Sequence, residues 1–167
     1  MRPQLKICGL MREADVELCC GLGVDLCGFV TEYPLDVPWN LSRADCRRLL
    51  SRVTPPAKRC IVTGGSPEKI LSLALELRPD LVQLHFRETL EDTAALVRAL
   101  APYGIGVIKA IPASPEERLR QFGTETLENC IRALCDAGVY AILADSREPD
   151  NAAAGGALDL SFCRRVC

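Results

Sequence analysis

Two short apolar runs in this chain end on reactive side chains. Leu5-Lys6-Ile7 leads to Cys8-Gly9, and Tyr140-Ala141-Ile142-Leu143-Ala144 leads to Asp145-Ser146. A thiol and a carboxyl presented where strands give way to loops can work as an acid/base pair, one removing a proton while the other delivers one. The plain alternative for Asp145 is a strand-end turn residue, and for Cys8 a buried core thiol. Gln83 and His85 close another apolar run, Leu81-Val82-Gln83-Leu84-His85, and His85 is the chain's single histidine. Lys6 and Lys109 alternate with apolar neighbours, so each either points into a barrel centre near the reactive pair or forms a buried structural ion pair.

These side chains need a scaffold that carries several strand ends to one place. Strand-like runs start near residues 5, 25, 59, 81, 106 and 140, and helical patterns follow them. Ser42 precedes Cys46, Leu49, Leu50 and Val53 at helical spacing. Ser66-Pro67-Glu68 is a cap with Pro in the first turn before Ile70, Leu73, Ala74 and Leu77. Thr89 precedes Leu96, Val97 and Leu100, and Thr126 precedes Ile131, Leu134 and a stop at Gly138. Strand then helix, repeated, predicts a parallel α/β sheet, and near-continuous apolar strands are expected where both faces are covered.

An open doubly wound sheet and a closed TIM (β/α)8 barrel share this pattern. The Gly-x-Gly-x-x-Gly of the former is missing, since Gly21, Gly23 and Gly28 have the wrong spacing. Gly64-Gly65-Ser66 reads as a tight connection with a Ser cap more readily than as a phosphate cradle. In a barrel, reactive residues belong at the C-terminal ends of different strands, where Cys8 and Asp145 fall.

Composition narrows the function class. With 49% hydrophobic and 25% charged residues over 167 positions, a single domain, 1–167, is expected. A net charge of −2 without a basic block argues against nucleic acid as a partner, and Arg47-Arg48 and Arg164-Arg165 read as solvated helix faces. The start of the chain has no apolar signal region and no run approaches a membrane span, so we expect no membrane association and a cytoplasmic location. Ten cysteines include no Cys-x-x-Cys pair, which excludes the usual zinc and thioredoxin-type spacings. Cys27, Cys46, Cys60, Cys130 and Cys135 read as small buried hydrophobes in a reducing compartment.

Taken in order, Lys6-Ile7-Cys8-Gly9-Leu10, Asp15-Val16, Gly23-Val24-Asp25-Leu26-Cys27-Gly28-Phe29-Val30, Asp80-Leu81-Val82-Gln83-Leu84-His85, Val107-Ile108-Lys109-Ala110 and Ile142-Leu143-Ala144-Asp145-Ser146 resemble the successive signatures of the phosphoribosylanthranilate isomerase family. The resemblance implies a TIM barrel of the tryptophan pathway that catalyses an Amadori rearrangement of a small phosphoribosyl substrate, with no cofactor and no metal. It makes Cys8 the general base and Asp145 the general acid, so that Asp145 has to keep its proton near neutral pH. We also expect Trp39 at the substrate and one of Gln83 and His85 lining the pocket, with a packed or hydrogen-bonded structural role as the alternative for His85.

Two segments depart from the family's pattern. The loop after the second strand reads Thr31-Glu32-Tyr33-Pro34-Leu35-Asp36-Val37-Pro38-Trp39-Asn40, keeping Tyr33-Pro34 but not the family's arginine, and holding the chain's only tryptophan. Trp39 can stack on an aromatic substrate ring or pack under the loop. The glycine-rich loop before the last helix is reduced to Ala152-Ala153-Ala154-Gly155-Gly156-Ala157, with Leu158-Asp159-Leu160-Ser161 after it. About six βα units are visible, fewer than the eight of a complete barrel. We therefore expect an incomplete barrel lacking the phosphate-binding units seven and eight, with exposed edges that favour association. The runners-up are a related phosphosugar isomerase with another aglycone and a catalytically silent remnant that serves as a binding or assembly partner.

Overall fold

The computed structural model describes residues 2–145 and 160–166. Ser146, the 152–157 loop and Leu158-Asp159 lie outside the described residues. Six strands, β1 (Lys6–Cys8), β2 (Leu26–Val30), β3 (Lys58–Thr63), β4 (Leu81–Leu84), β5 (Gly106–Pro112) and β6 (Ala141–Asp145), form one sheet in sequence order. Every neighbouring pair is parallel. A doubly wound sheet reverses its strand order at a switch point, whereas an unbroken sequential order with every crossover in one sense is the winding of a TIM barrel. The fold is accordingly the larger part of such a barrel, with β1 and β6 as its two outer strands.

Several helices form where the sequence offers a cap and a stripe, whereas α1 and α6 start without a side-chain cap bond. α1 (Glu13–Gly21) follows β1, and α2 (Arg43–Leu50) starts at Ser42, whose hydroxyl accepts the Asp45 N–H. α3 (Pro67–Leu77) starts at Ser66 with Pro67 in its first turn, and Thr89 and Asp92 close a reciprocal capping box on α4 (Leu90–Leu100). The β5–β6 connection carries two helices where the sequence analysis expected one. α5 (Pro115–Phe122) begins at Ser114, whose hydroxyl accepts the Glu117 N–H, and α6 (Leu127–Asp136) follows. The same Ser-Pro-Glu signature read at Ser66 marks Ser114-Pro115-Glu116. The described chain ends in α7 (Leu160–Val166).

Strand alternation sorts side chains into two cores. Cys27, Phe29, Ile61, Val82, Leu84 and Val107 face the helices and pack on Leu49, Ile70, Leu73, Leu96 and Leu100. Leu26, Cys60, Leu81 and Ile108 face the barrel interior with Ala141 and Leu143. Both faces are covered, as the continuous apolar strands required. Cys27, Cys46, Cys60 and Cys130 are buried as expected, but Cys135 is exposed. The buried stripe of α6 is Leu127, Cys130 and Leu134, and Cys135, one position past Leu134, turns off it. Among the described residues no helix is long and apolar enough to cross a membrane.

At the N-terminal ends of β3 and β4, Asp80 accepts the Arg59 backbone N–H at 2.7 Å and two guanidinium bonds at 3.0 Å. Partial burial pushes the Asp80 carboxyl upward, but the Arg59 hydrogen bonds and charge outweigh it and hold it below its ordinary value. A carboxyl lowered in the folded state adds stability above its unfolded value, near pH 4, and loses it as pH falls through the folded value. In urea titrations, Asp80→Asn should cost about 1 kcal/mol or less at neutral pH, because the pair is a third exposed and solvent-screened. That difference should vanish in acid. A pH-independent gap would show that the Asp80 charge is not the stabilising element.

Candidate active site

The C-terminal ends of the strands enclose a cavity of about 680 Å³ lined by Lys6, Cys8 and Gly9 from β1 and its loop, Gln83 and His85 from β4 and its end, and Asp145 from β6. Tyr33, Trp39 and Met11 complete its wall. Every sequence-expected site residue, Cys8, Asp145, Trp39, Gln83 and His85, therefore borders one space. A groove of about 820 Å³ lies at the opposite strand ends, but its charged groups are spent on one another: Arg59 on Asp80, and Lys58 on the Tyr140 hydroxyl.

The polar centre is a chain of hydrogen bonds. Gln83 Nε2 lies 3.0 Å from His85 Nδ1, and His85 Nε2 lies 2.6 Å from Asp145 Oδ2. With the Gln83 amide donating, Nδ1 accepts, so the ring proton sits on Nε2 and is given to Asp145. Gln83 is buried, and the His85 and Asp145 side chains are 18% and 11% exposed, so water competes weakly for these bonds. The arrangement fixes one oxygen of the Asp145 carboxyl and aims the group into the cavity from the end of β6.

Cys8 is exposed to the same cavity. Its neighbour across the ladder is Gly28, where an added Cβ would meet Cys8 Sγ at 3.0 Å and Lys6 Nζ at 3.1 Å. A side chain there would crowd both, so the glycine lets the Lys6 ammonium and the Cys8 sulfur approach the same point of the ladder. Of the two lysines weighed from the sequence, Lys6 points to the barrel interior and Lys109 does not. Lys109 is fully buried on the helix side of β5, bonded to Glu88 at 3.2 Å and Gln121 at 3.1 Å. Burial pushes its ammonium below the ordinary lysine value against the opposing pull of Glu88.

The loop after β2 supplies the apolar wall. Tyr33, Val37, Val30 and Val62 form a buried cluster against which Trp39, Leu35 and Phe86 pack. Trp39 is half-buried, so it both packs under the loop and borders the cavity. Tyr33 was not singled out as a site residue, yet its hydroxyl donates to the His85 carbonyl at 2.7 Å and its ring meets Phe86 edge-on. The first arginine beyond this loop, Arg43, is engaged by Glu32 and Glu76 and does not line the cavity. Gly64-Gly65-Ser66 is the tight connection expected: the Gly65 N–H goes to Glu88 and the Ser66 hydroxyl caps α3.

Fold and site together define a TIM-barrel protein with ionisable groups at the C-terminal strand ends. No family model matches the chain. It is 32% identical over 164 residues to the N-(5'-phosphoribosyl)anthranilate isomerase of Cereibacter sphaeroides, covering 98% of this chain and 70% of that protein. It is 29% identical to the isomerase of Methanosarcina acetivorans, covering 87% of this chain and 62% of that one. The crystal structure of phosphoribosyl anthranilate isomerase from Thermotoga maritima matches with a TM-score of 0.71 at 30% identity, over 96% of this chain and 70% of that one. The chain belongs to the phosphoribosylanthranilate isomerase family. It spans less than two thirds of the length of several curated relatives it matches.

The thiols differ sharply in environment, which makes the cavity's exposure measurable. Burial pushes Cys60 and Cys27 up to about 12 and Cys46 up to about 11, leaving roughly one part in a thousand or less as thiolate near pH 8. Brief alkylation of the native protein with iodoacetamide, mapped by peptide mass spectrometry, should modify Cys8 and Cys135 while sparing Cys27, Cys46 and Cys60. Protection of Cys8 would show that the cavity is closed to solvent.

Proposed function

We infer that this chain carries the acid/base half of an isomerase that converts N-(5'-phosphoribosyl)anthranilate to 1-(2-carboxyphenylamino)-1-deoxyribulose 5-phosphate in tryptophan biosynthesis. The observation that carries this reading is the meeting of Cys8, Lys6 and the Gln83–His85–Asp145 chain in one cavity at the strand ends. Ring opening needs a proton on the furanose oxygen as its bond to C1 breaks. Asp145 delivers that proton, and a carboxylic acid can do so while its other oxygen accepts from His85. The C1–N iminium formed acidifies the C2 proton, which the Cys8 thiolate removes, and the enaminol then takes up a proton at C1 while its C2 hydroxyl loses one, giving the ketone. Lys6 offsets charge near the sulfur as the proton moves. The planar aglycone packs against the Tyr33 and Trp39 wall, while His85 and Gln83 orient Asp145 and border the sugar.

The altered 31–40 loop favours a second reading, a phosphosugar isomerase with a different aglycone. The loop contains no cation to meet an anthranilate carboxylate, and Arg43 is engaged elsewhere. The deciding experiment joins this chain to units seven and eight of the Thermotoga relative and expresses it in a tryptophan auxotroph lacking the isomerase. Growth on minimal medium is expected. In steady-state assay, Cys8→Ser and Asp145→Asn should each lower turnover by about 10²- to 10⁴-fold with the fold intact. Turnover within a few-fold of the parent in either variant would remove that residue from the chemistry, and failure to grow alongside activity on another phosphoribosyl amine would establish the second reading.

On this reading the two outer strands of the described sheet would pair with further βα units. Among the described residues β1 pairs only with β2 and β6 only with β5, so each presents an open parallel edge. Leu5 and Ile7 on or beside β1 and Tyr140 beside β6 are large apolar side chains left exposed there. The family's remaining strands would pair both edges and supply the phosphate site. Light scattering on the 167-residue chain should show self-association, reversed by a polypeptide that carries the two units. A stable monomer alone would show that the edges need no partner.

A further inference from the structure

Outside the cavity, the least ordinary polar group is Glu88. Its side chain is wholly buried, yet it sits in a loop and touches three elements. Oε1 accepts the Gly65 N–H at 3.1 Å, and Oε2 accepts the Phe86 N–H at 3.1 Å and a Lys109 Nζ bond at 3.2 Å. Gly64 is shaped for this approach, because an added Cβ would meet Phe86 Cβ at 2.5 Å and Glu88 Oε1 at 2.8 Å. The bonded Phe86 N–H belongs to the peptide unit that follows His85. The carbonyl of that same unit is the one that accepts the Tyr33 hydroxyl at 2.7 Å. One peptide plane is thus gripped at both ends, while the His85 N–H before it is bonded to the Thr63 carbonyl at 3.2 Å.

We propose that Glu88 is a positioning residue: held by buried Lys109, its carboxylate fixes the His85–Phe86 peptide against Tyr33 and so aims the His85 ring at Asp145. Two backbone N–H groups and an ammonium converge on it. A carboxylate offers two acceptor oxygens to them, whereas an amide offers one and presents an NH2 to the remaining N–H. The 2.6 Å bond between His85 and Asp145 tolerates little error in ring direction. Retaining a buried ion pair is costly where an apolar pair would pack as well, and the cost is consistent with a demand for fixed geometry. The role of the aimed ring rests on the isomerase reading, but the aim itself does not.

The single histidine makes the test direct. In protein labelled with ¹⁵N-histidine, the parent should show one imidazole with Nδ1 unprotonated and a strongly downfield Nε2 proton. Glu88→Gln combined with Lys109→Met removes both charges together, so no unpaired buried ion remains. That variant should stay folded by circular dichroism and lose or broaden the downfield proton. In the eight-unit chimera, turnover should fall at least tenfold with KM changed less than about twofold. A folded double variant that keeps the parent's downfield proton overturns the proposal. Should the double variant not fold, Tyr33→Phe decides in the same terms, since it releases the peptide from the other side and leaves both charges in place. Loss of the proton signal in a protein without isomerase activity would leave the positioning role standing and count against the functional reading.

Discussion

Everything in this structure depends on the parallel ladder keeping its register. Cys8 pairs with Gly28 and Gly28 with Cys60, while Val62 pairs with Gln83 and Gln83 with Ile108. Side chains alternate strictly along each strand, so a slip of one residue would turn Cys8, Gln83 and Asp145 toward the helices and bring Ile7 and Leu84 to the cavity. The register is secured because its alternative is expensive. Phe29, Ile61, Val82 and Leu84, all close to fully buried, would exchange places with polar groups, at roughly 1.5–3 kcal/mol for each apolar side chain removed from its core. The chemistry is thus held in place by packing on the other side of the sheet.

Charge is buried in this protein at Lys109 and Glu88, behind the wall that carries the reactive groups. Lys69 plays a related part beneath the same loops, donating to the Glu32 carbonyl, to the Gly64 carbonyl at 2.7 Å and to the Thr63 hydroxyl at 3.2 Å, with burial pushing its ammonium below the ordinary value. Loops on the surface are usually the least fixed part of a barrel. Here the β2, β3 and β4 loops are tied to each other by two lysines and a glutamate.

How much of this was legible in the sequence depended on the range of the interaction. Strand starts came within one residue because continuous apolar runs are local, and Ser42, Ser66 and Thr89 announced their helices because a cap acts within three residues. The extra helix α5 carries the same cap signature at Ser114, without the long apolar stripe that marks the other helices. Cys135 failed because residue type was read without the helical face on which it falls. Cys8, Asp145, Gln83 and His85 could be gathered at one end of the strands from position alone. That His85 bonds Asp145, 60 residues away, follows from the curvature of the sheet, which no local pattern encodes. Glu88 was invisible for the same reason: an acidic residue in Arg87-Glu88-Thr89-Leu90-Glu91 reads as solvated until Lys109 and Gly65 are brought to it.

Cys8 and Asp145 stand on β1 and β6, the two outer strands of the sheet among the described residues, with the other four lying between them. Their separation is therefore set by the accumulated twist and coil of five inter-strand ladders, each able to give slightly. His85, at the end of β4, steadies Asp145 from within the sheet. Strands that paired both edges would add the missing constraint, since closure fixes the diameter and tilt of a barrel together. Closing the sheet would thus do more than bury apolar surface: it would set the separation of Cys8 and Asp145, which five ladders in series otherwise decide.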